Sequence, residues 1–245
     1  MTSSEGHPGS LLQLGRVPYP AAWSLQHRLV AERIQNRRLD TLLLLEHDPV
    51  YTIGRRGRVE HWGGSDEALA RTGIPVYHVE RGGSITYHGP GQVVGYLIFR
   101  LTRFCAGPRP FVHSLEEAMV RTLARWGLEG RRLSPWPGVW VGETRPYKIA
   151  SVGVRIAKGV TMHGFALNVS IDLTAFSPIV PCGIADCRVT SMAALLGQPV
   201  SESLVRQHLA EEMGGVFGIA WRVEDEPSRE ERIRVGEART PMVTS

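Results

Sequence analysis

Three β-rich segments follow one another in the second half of this chain, "GVWVG", "YKIASVGVRI" and "VTMHGFALNVSID", with only turn-sized gaps between them. Spacing of that kind predicts a meander of antiparallel strands. It disfavours a doubly wound parallel sheet for the core of the fold.

The rest of the chain can be placed around that meander. "LLQLG" reads as a short strand, and a helix is expected from about Pro20 to Arg38 with Trp23, Val30 and Ile34 on one face. "TLLLLEH" reads as a buried strand, and "SDEALARTG" as a short helix with a serine start and a glycine stop. "IPVYHVER" alternates like a strand and leads into "RGGSITYHGPGQ", after which "VVGYLIFRL" is again a strand. Between Pro110 and Trp126, residues Val112, Leu115, Met119, Leu123 and Trp126 fall at helical spacing. "VTSMAALLG" and "SESLVRQHLAEEMGGVFG" each carry Ser or Thr near the start and Gly at the end, so both are expected helices. The sum is an α+β protein: a central mixed, mostly antiparallel β-sheet flanked by helices. Residues 1–224 are expected to form one catalytic-sized domain. The aromatic-free, charged stretch 225–245 is expected to be a loosely ordered tail.

At 245 residues and 42% hydrophobic, the chain can bury one large core or two small ones. No apolar run approaches the roughly 20 residues that span a bilayer, and "MTSSEGHPGS" lacks the regions of a signal peptide, so a cytoplasmic location is expected. The net charge of +4 suits acidic partners. No Lys/Arg block with interleaved aromatics is present, so a nucleic-acid partner is not expected. Neither GxGxxG nor GxxxxGK[ST] occurs, and "RGGSITYHGPGQ" is followed by a strand where those loops need a helix. ATP and dinucleotide binding therefore lack motif support.

The glycines of "RGGSITYHGPGQ" mark tight turns or a place where a ligand meets main chain. In "IVPCGIADC", Pro181 and Gly183 flank Cys182, which puts the thiol on a turn; a structural and a reactive cysteine both remain open. Cys105 and Cys187 read as bystanders. A thiol needs a basic or cationic neighbour to attack at neutral pH, and spacing singles out none of the nine histidines. Lys148, in a strand beside Ile149, is a second candidate: buried, it could act as a base. Pattern alone prefers an edge-strand lysine whose stem snorkels to water. CxxC pairs are absent, so no metal site is expected. Arg55, Arg56 and Arg58 read as a solvated loop that could face an acidic partner.

Taken together, "EHDPVYTIGRRG", "RGGSITYHGPGQVVGY", "KIASVGVRI", "HGFALNV" and "PCGIADCRVTSM", in this order across residues 41–192, resemble the lipoyl(octanoyl) transferase family. The resemblance implies the fold of biotin and lipoate protein ligase catalytic domains. It implies that Arg81, Gly82, Gly83, Ser84, Ile85, Thr86, Tyr87 and His88 line an acyl-chain pocket. Ser151, Val152, Gly153, Gly164, Phe165 and Ala166 would add substrate contacts. It also implies that Cys182 is the acyl-thioester nucleophile, that Lys148 is its general base and acid, and that the donor is octanoyl-acyl carrier protein. The acceptors would be lipoyl domains of 2-oxoacid dehydrogenase E2 subunits and the glycine-cleavage H protein. No cofactor beyond the carrier's phosphopantetheine is implied, and backbone N–H groups near Gly183 would be oxyanion donors. The alternatives are an ATP-dependent lipoate-protein ligase and a non-catalytic module that binds the same partners.

Overall fold

The computed structural model describes residues 6–224, so the expected tail at 225–245 lies outside the described residues. The chain opens with β1 (His7–Arg16), longer than its apolar "LLQLG" centre, and α1 (Tyr19–Ile34). Next come β2 (Asp40–Glu46), β3 (Val50–Ile53), α2 (Asp66–Ala70), β4 (Val76–His78), β5 (Ile85–His88) and β6 (Gln92–Ile98). After α3 (Pro108–Ala124) run β7 (Arg131–Leu133), β8 (Trp136–Val141), β9 (Tyr147–Ala157) and β10 (Val160–Asn168). The described chain closes with β11 (Arg188–Val189), α4 (Met192–Leu196), α5 (Glu202–Phe217) and β12 (Ile219–Val223).

Among the described residues, nine strands form one sheet along the path β12-β1-β2-β6-β10-β9-β8-β7, with β11 beside β9. The meander is there: β8, β9 and β10 pair antiparallel in succession. Parallel pairs occur at β12–β1, β1–β2 and β11–β9, so the sheet is mixed and mostly antiparallel, as expected. A second, small sheet of order β4-β3-β5 stands apart from it.

The large sheet is apolar on both faces because helices cover both. Leu42, Leu44, Leu97, Phe165 and Leu167 meet α3 and α5 through Phe111, Leu115, Met119, Leu209 and Met213. Leu43, Leu45, Val94, Ile98 and Ala166 meet α1 through Ala22, Leu25 and Leu29. Burying each such side chain contributes roughly 2 kcal/mol, which is why "TLLLLEH" has no polar face.

Several expectations change. The first helix stops at Ile34 because the backbone leaves the helix at Asn36, in the left-handed region at φ 56°. Its inner face is carried by Leu25 and Leu29, while Trp23 and Ile34 are only partly buried. Strand pairing in "IPVYHVER" is confined to Val76–His78. "RGGSITYHGPGQ" is not one loop: Ile85–His88 is a buried strand paired with β3, and the glycines occupy the turns on either side. In α3 the inward stripe includes Phe111, Val112 faces a cleft instead, and Trp126 lies past the helix end. The short helices start as expected: the hydroxyls of Ser65, Ser191 and Ser201 each accept a backbone N–H three residues on.

Candidate active site

The cleft that matters lies over the α1-side face of β6, β10 and β9, roofed by the turns around Arg81. Its volume is about 300 Å³. The floor follows from strand register: Val94, Ala166 and Ser151 lie side by side across three strands, and so do Tyr96, Gly164 and Gly153. Glycine at 164 is required there, because a Cβ would stand 2.2 Å from the Gly95 carbonyl oxygen.

Lys148 reaches this face through an irregularity in β9. Val139 pairs with Ala150 and the next residue, Trp140, pairs with Lys148, so Ile149 is an extra residue opposite β8. Ile149 and Ala150 both face the α3-side core, with Val152, Val154 and Ile156 continuing that face in alternation. Without the bulge, Lys148 would share the face of Ala150; with it, Lys148 shares the face of Ser151 and Gly153. The side chain is 2% exposed, so it does not snorkel. Its Nζ donates to the Pro137 carbonyl at 2.6 Å and lies 4.6 Å from the centre of the Trp140 ring.

Cys182 sits on a one-turn 3-10 segment, Pro181–Gly183, with φ 58°, and its thiol is half-buried. The Ser151 hydroxyl is 3.6 Å from its sulfur. A left-handed conformation at a non-glycine residue is uncommon and costs energy, so the surroundings must hold it. They do so through His61. Its carbonyl accepts the Val180 N–H at 2.7 Å, and its Nδ1 is 2.6 Å from the Ser84 hydroxyl. A Cβ on Gly183 would come within 2.8 Å of the His61 ring. Two of the N–H groups near Gly183 are committed within the turn: Gly183 N–H bonds the Val180 carbonyl and Ile184 N–H the Pro181 carbonyl. Cys187 lies close enough to feel both Cys182 and Lys148, and burial pushes its thiol up to about 11, so it is neutral at pH 7.

The roof is an ordered polar network. Arg81 is buried, and its guanidinium donates to the Thr52 carbonyl at 2.6 Å, to the Thr52 hydroxyl and to the Gly82 carbonyl. Burial lowers its pKa from the ordinary value, with Cys182, Tyr19 and Tyr96 near enough to act on it. His88 Nδ1 donates to Gln92 Oε1 at 2.7 Å, which leaves Nε2 to accept from Thr52. His47 Nδ1 donates to the Val17 carbonyl, so its Nε2 accepts the Tyr96 hydroxyl at 2.7 Å. Burial pushes His47 down to about 4 and His88 and His163 to about 3, so all three rings are neutral at pH 7.

Of the residues singled out from sequence, Lys148, Cys182, Ser151, Val152, Gly153, Gly164, Phe165 and Ala166 line this one cleft, with Arg81, Gly82, Gly83, Thr86 and His88. Ser84 instead bonds His61, and Ile85 and Tyr87 point into a separate core against Tyr51, Trp62 and Phe176. Arg55, Arg56 and Arg58 are exposed, and Arg56 reaches the cleft. Tyr19, Tyr96 and Trp136 also form walls, arriving from α1, β6 and β8; Tyr19 and Trp136 lie outside the quoted motifs, and Tyr96 closes one of them without having been singled out. Cys105 lies apart, against the α3-side core.

A thiol on a strained turn, a buried amine facing the same cleft and a polar roof over an apolar floor define an acyl-transfer enzyme. The comparisons narrow that class. Residues 18–214 match the lipoyl protein ligase A/B catalytic domain, and the chain belongs to that family. An octanoyltransferase of Chloroflexus aurantiacus is 46% identical over 86% of this chain and 95% of its own. An octanoyltransferase of Acidobacterium capsulatum is 43% identical over 86% of this chain and 92% of its own. The enzyme is thus an acyltransferase of the octanoyltransferase type. In fold it is similar to the bipartite lipoate protein ligase of Thermoplasma acidophilum, with a TM-score of 0.68 at 19% identity over 94% of this chain and 91% of the other. No helix among the described residues is long and apolar enough to cross a membrane.

Proposed function

We propose that the enzyme moves an octanoyl group from octanoyl-acyl carrier protein to a lysine of lipoyl domains, through an octanoyl thioester on Cys182. The acceptors are E2 subunits of 2-oxoacid dehydrogenases and the glycine-cleavage H protein. The observation that carries this reading is the meeting of Cys182, Ser151 and Lys148 at one cleft.

In the first half-reaction the Cys182 thiol gives its proton to Lys148, and the sulfur attacks the thioester carbonyl of the carrier. A new S–C bond forms, the bond to the phosphopantetheine sulfur breaks, and that sulfur takes the proton back from Lys148. In the second, the lipoyl-domain amine attacks the Cys182 thioester. Its surplus proton passes by Lys148 to the departing Cys182 sulfur. Thioester exchange is nearly balanced and amide formation is downhill, so the chemistry needs no ATP and no cofactor besides the carrier's phosphopantetheine. A cytoplasmic setting fits both protein partners, and Arg55, Arg56 and Arg58 suit the approach of acidic ones.

Intact-protein mass after mixing with octanoyl carrier protein, without ATP, tests the reading. An octanoyl adduct is expected on the wild type, absent from Cys182→Ala, removable by hydroxylamine and transferable to a lipoyl domain. Lys148→Met should slow both halves by at least about a thousandfold. Transfer only from free octanoate with ATP would replace this reading with the ligase alternative.

A further inference from the structure

Glu116 is a carboxylate in the wrong kind of place. It lies on the inner side of α3, 3% exposed, among Phe111, Leu115, Met119 and Leu123, where an unpaired charge costs several kcal/mol. None of the ion pairs among the described residues includes it. What it does hold is a backbone group: its Oε1 accepts the Gly138 N–H at 2.7 Å.

That N–H belongs to the peptide between Pro137 and Gly138, and the carbonyl of the same peptide accepts a hydrogen bond from Lys148 Nζ at 2.6 Å. Carboxylate, peptide and lysine Nζ therefore form one line of two hydrogen bonds. The peptide dipole points the right way for both, its positive N–H end at Glu116 and its negative oxygen at Lys148. Each charge-assisted bond polarises the next. Gly138 makes the approach possible: its φ is 119°, and a Cβ there would stand 3.0 Å from both the Lys148 Cε and Nζ.

We propose that Glu116 is a positioning residue for Lys148, holding its Nζ in place and stabilising its protonated form through the Pro137–Gly138 peptide. This rests on the reading of Lys148 as the proton carrier for Cys182. The pair then works as a triad in which the third member acts through a peptide group. When Lys148 takes the Cys182 proton, the distant carboxylate stabilises the ammonium that forms, much as a buried acid does for a catalytic imidazolium. The other groups facing Glu116 are His113 on its own helix and Arg132 from β7; Cys187 lies near Lys148, and Cys182 lines the same cleft. Burial raises the Glu116 pKa, and Lys148 is among the charges that pull it back down.

Composition makes a direct test practical, because Lys148 and Lys158 are the chain's only lysines. In full-length protein carrying ¹³C-lysine, each gives one Cε resonance, assigned with Lys158→Arg. Glu116→Gln keeps an acceptor for the Gly138 N–H and removes the charge. Its Lys148 resonance should titrate about one pH unit lower than in wild type, with Lys158 unmoved. Formation of the Cys182 acyl adduct should slow about tenfold. Glu116→Asp, which keeps the charge, should recover most of the titration shift. A folded Glu116→Gln protein whose Lys148 titrates as in wild type would overturn the proposal.

Should Glu116→Gln not fold, Lys148→Met decides. The carboxylate then lacks its cation, so the Tm deficit of that variant against wild type should grow from about pH 5 to about pH 8. A deficit constant with pH would overturn the relay. The titration needs no acyl donor, so a missing adduct with the lysine shift intact would sink the proposed function alone.

Discussion

The Ser151 hydroxyl stands 3.6 Å from the Cys182 sulfur, on the same strand face as Lys148. The carbonyl oxygen of an acyl group on that sulfur, two bonds from it, falls within reach of that hydroxyl. Since the N–H groups of Gly183 and Ile184 are spent inside their own turn, Ser151 is the side chain placed to meet developing oxyanion charge. Ser151→Ala should slow the acylation burst about a hundredfold with little change in Tm. An unchanged burst rate would remove Ser151 from the chemistry.

The turn that carries Cys182 is held against His61 with no room to spare. Gly183 has φ 67°, and a Cβ would meet the His61 ring at 2.8 Å. Gly183→Ala therefore adds left-handed strain of about 1–2 kcal/mol and displaces the ring. Thiol alkylation and acylation at Cys182 should both slow severalfold or more, while global stability falls by no more than the strain. Stopped-flow alkylation beside thermal unfolding separates the two. Wild-type alkylation rates in this variant would mean that the turn tolerates the displacement.

His47, His88 and His163 are buried neutral, with pKa values near 4, 3 and 3, whereas an unfolded chain protonates histidine near pH 6.5. Each lowered value means that the unfolded state binds the proton first. Their contribution to stability is therefore complete above about pH 6.5 and is lost as pH falls from there toward about 4. Calorimetry should show a Tm that is level near neutrality and declines through this window, with proton uptake on unfolding. A Tm independent of pH down to about 4.5 would contradict their neutral burial.

Much of this was readable in the residues. The meander declared itself because β8, β9 and β10 are β-rich and joined by short turns, and Ser65, Ser191 and Ser201 announced their helices because a cap is a local device. Cys182 on a turn was legible from Pro181 and Gly183. Three features were not. The strand Ile85–His88 is hidden between glycines, and only its pairing with β3 shows it. His61 acquires its place from contacts with Ser84 and Val180, far along the chain. The burial of Lys148 depends on a shift in register, which leaves no mark in hydrophobic periodicity: strict alternation assigns it to the face of Ala150.

That shift has a consequence for how the lysine can be gained or lost. The aim of Lys148 is stored in the bulge, which absorbs the one additional residue of β9 against β8 and so keeps Lys148 opposite Trp140 on the cleft side. Changing Ile149 or Ala150 to another small apolar residue leaves the bulge intact and the lysine in the cleft. Deleting either one would close the bulge into plain alternation with Lys148 still opposite Trp140 and still in the cleft, whereas the intact sequence paired without the bulge would set Lys148 opposite Val141 and drive its amine into the hydrocarbon beneath α3.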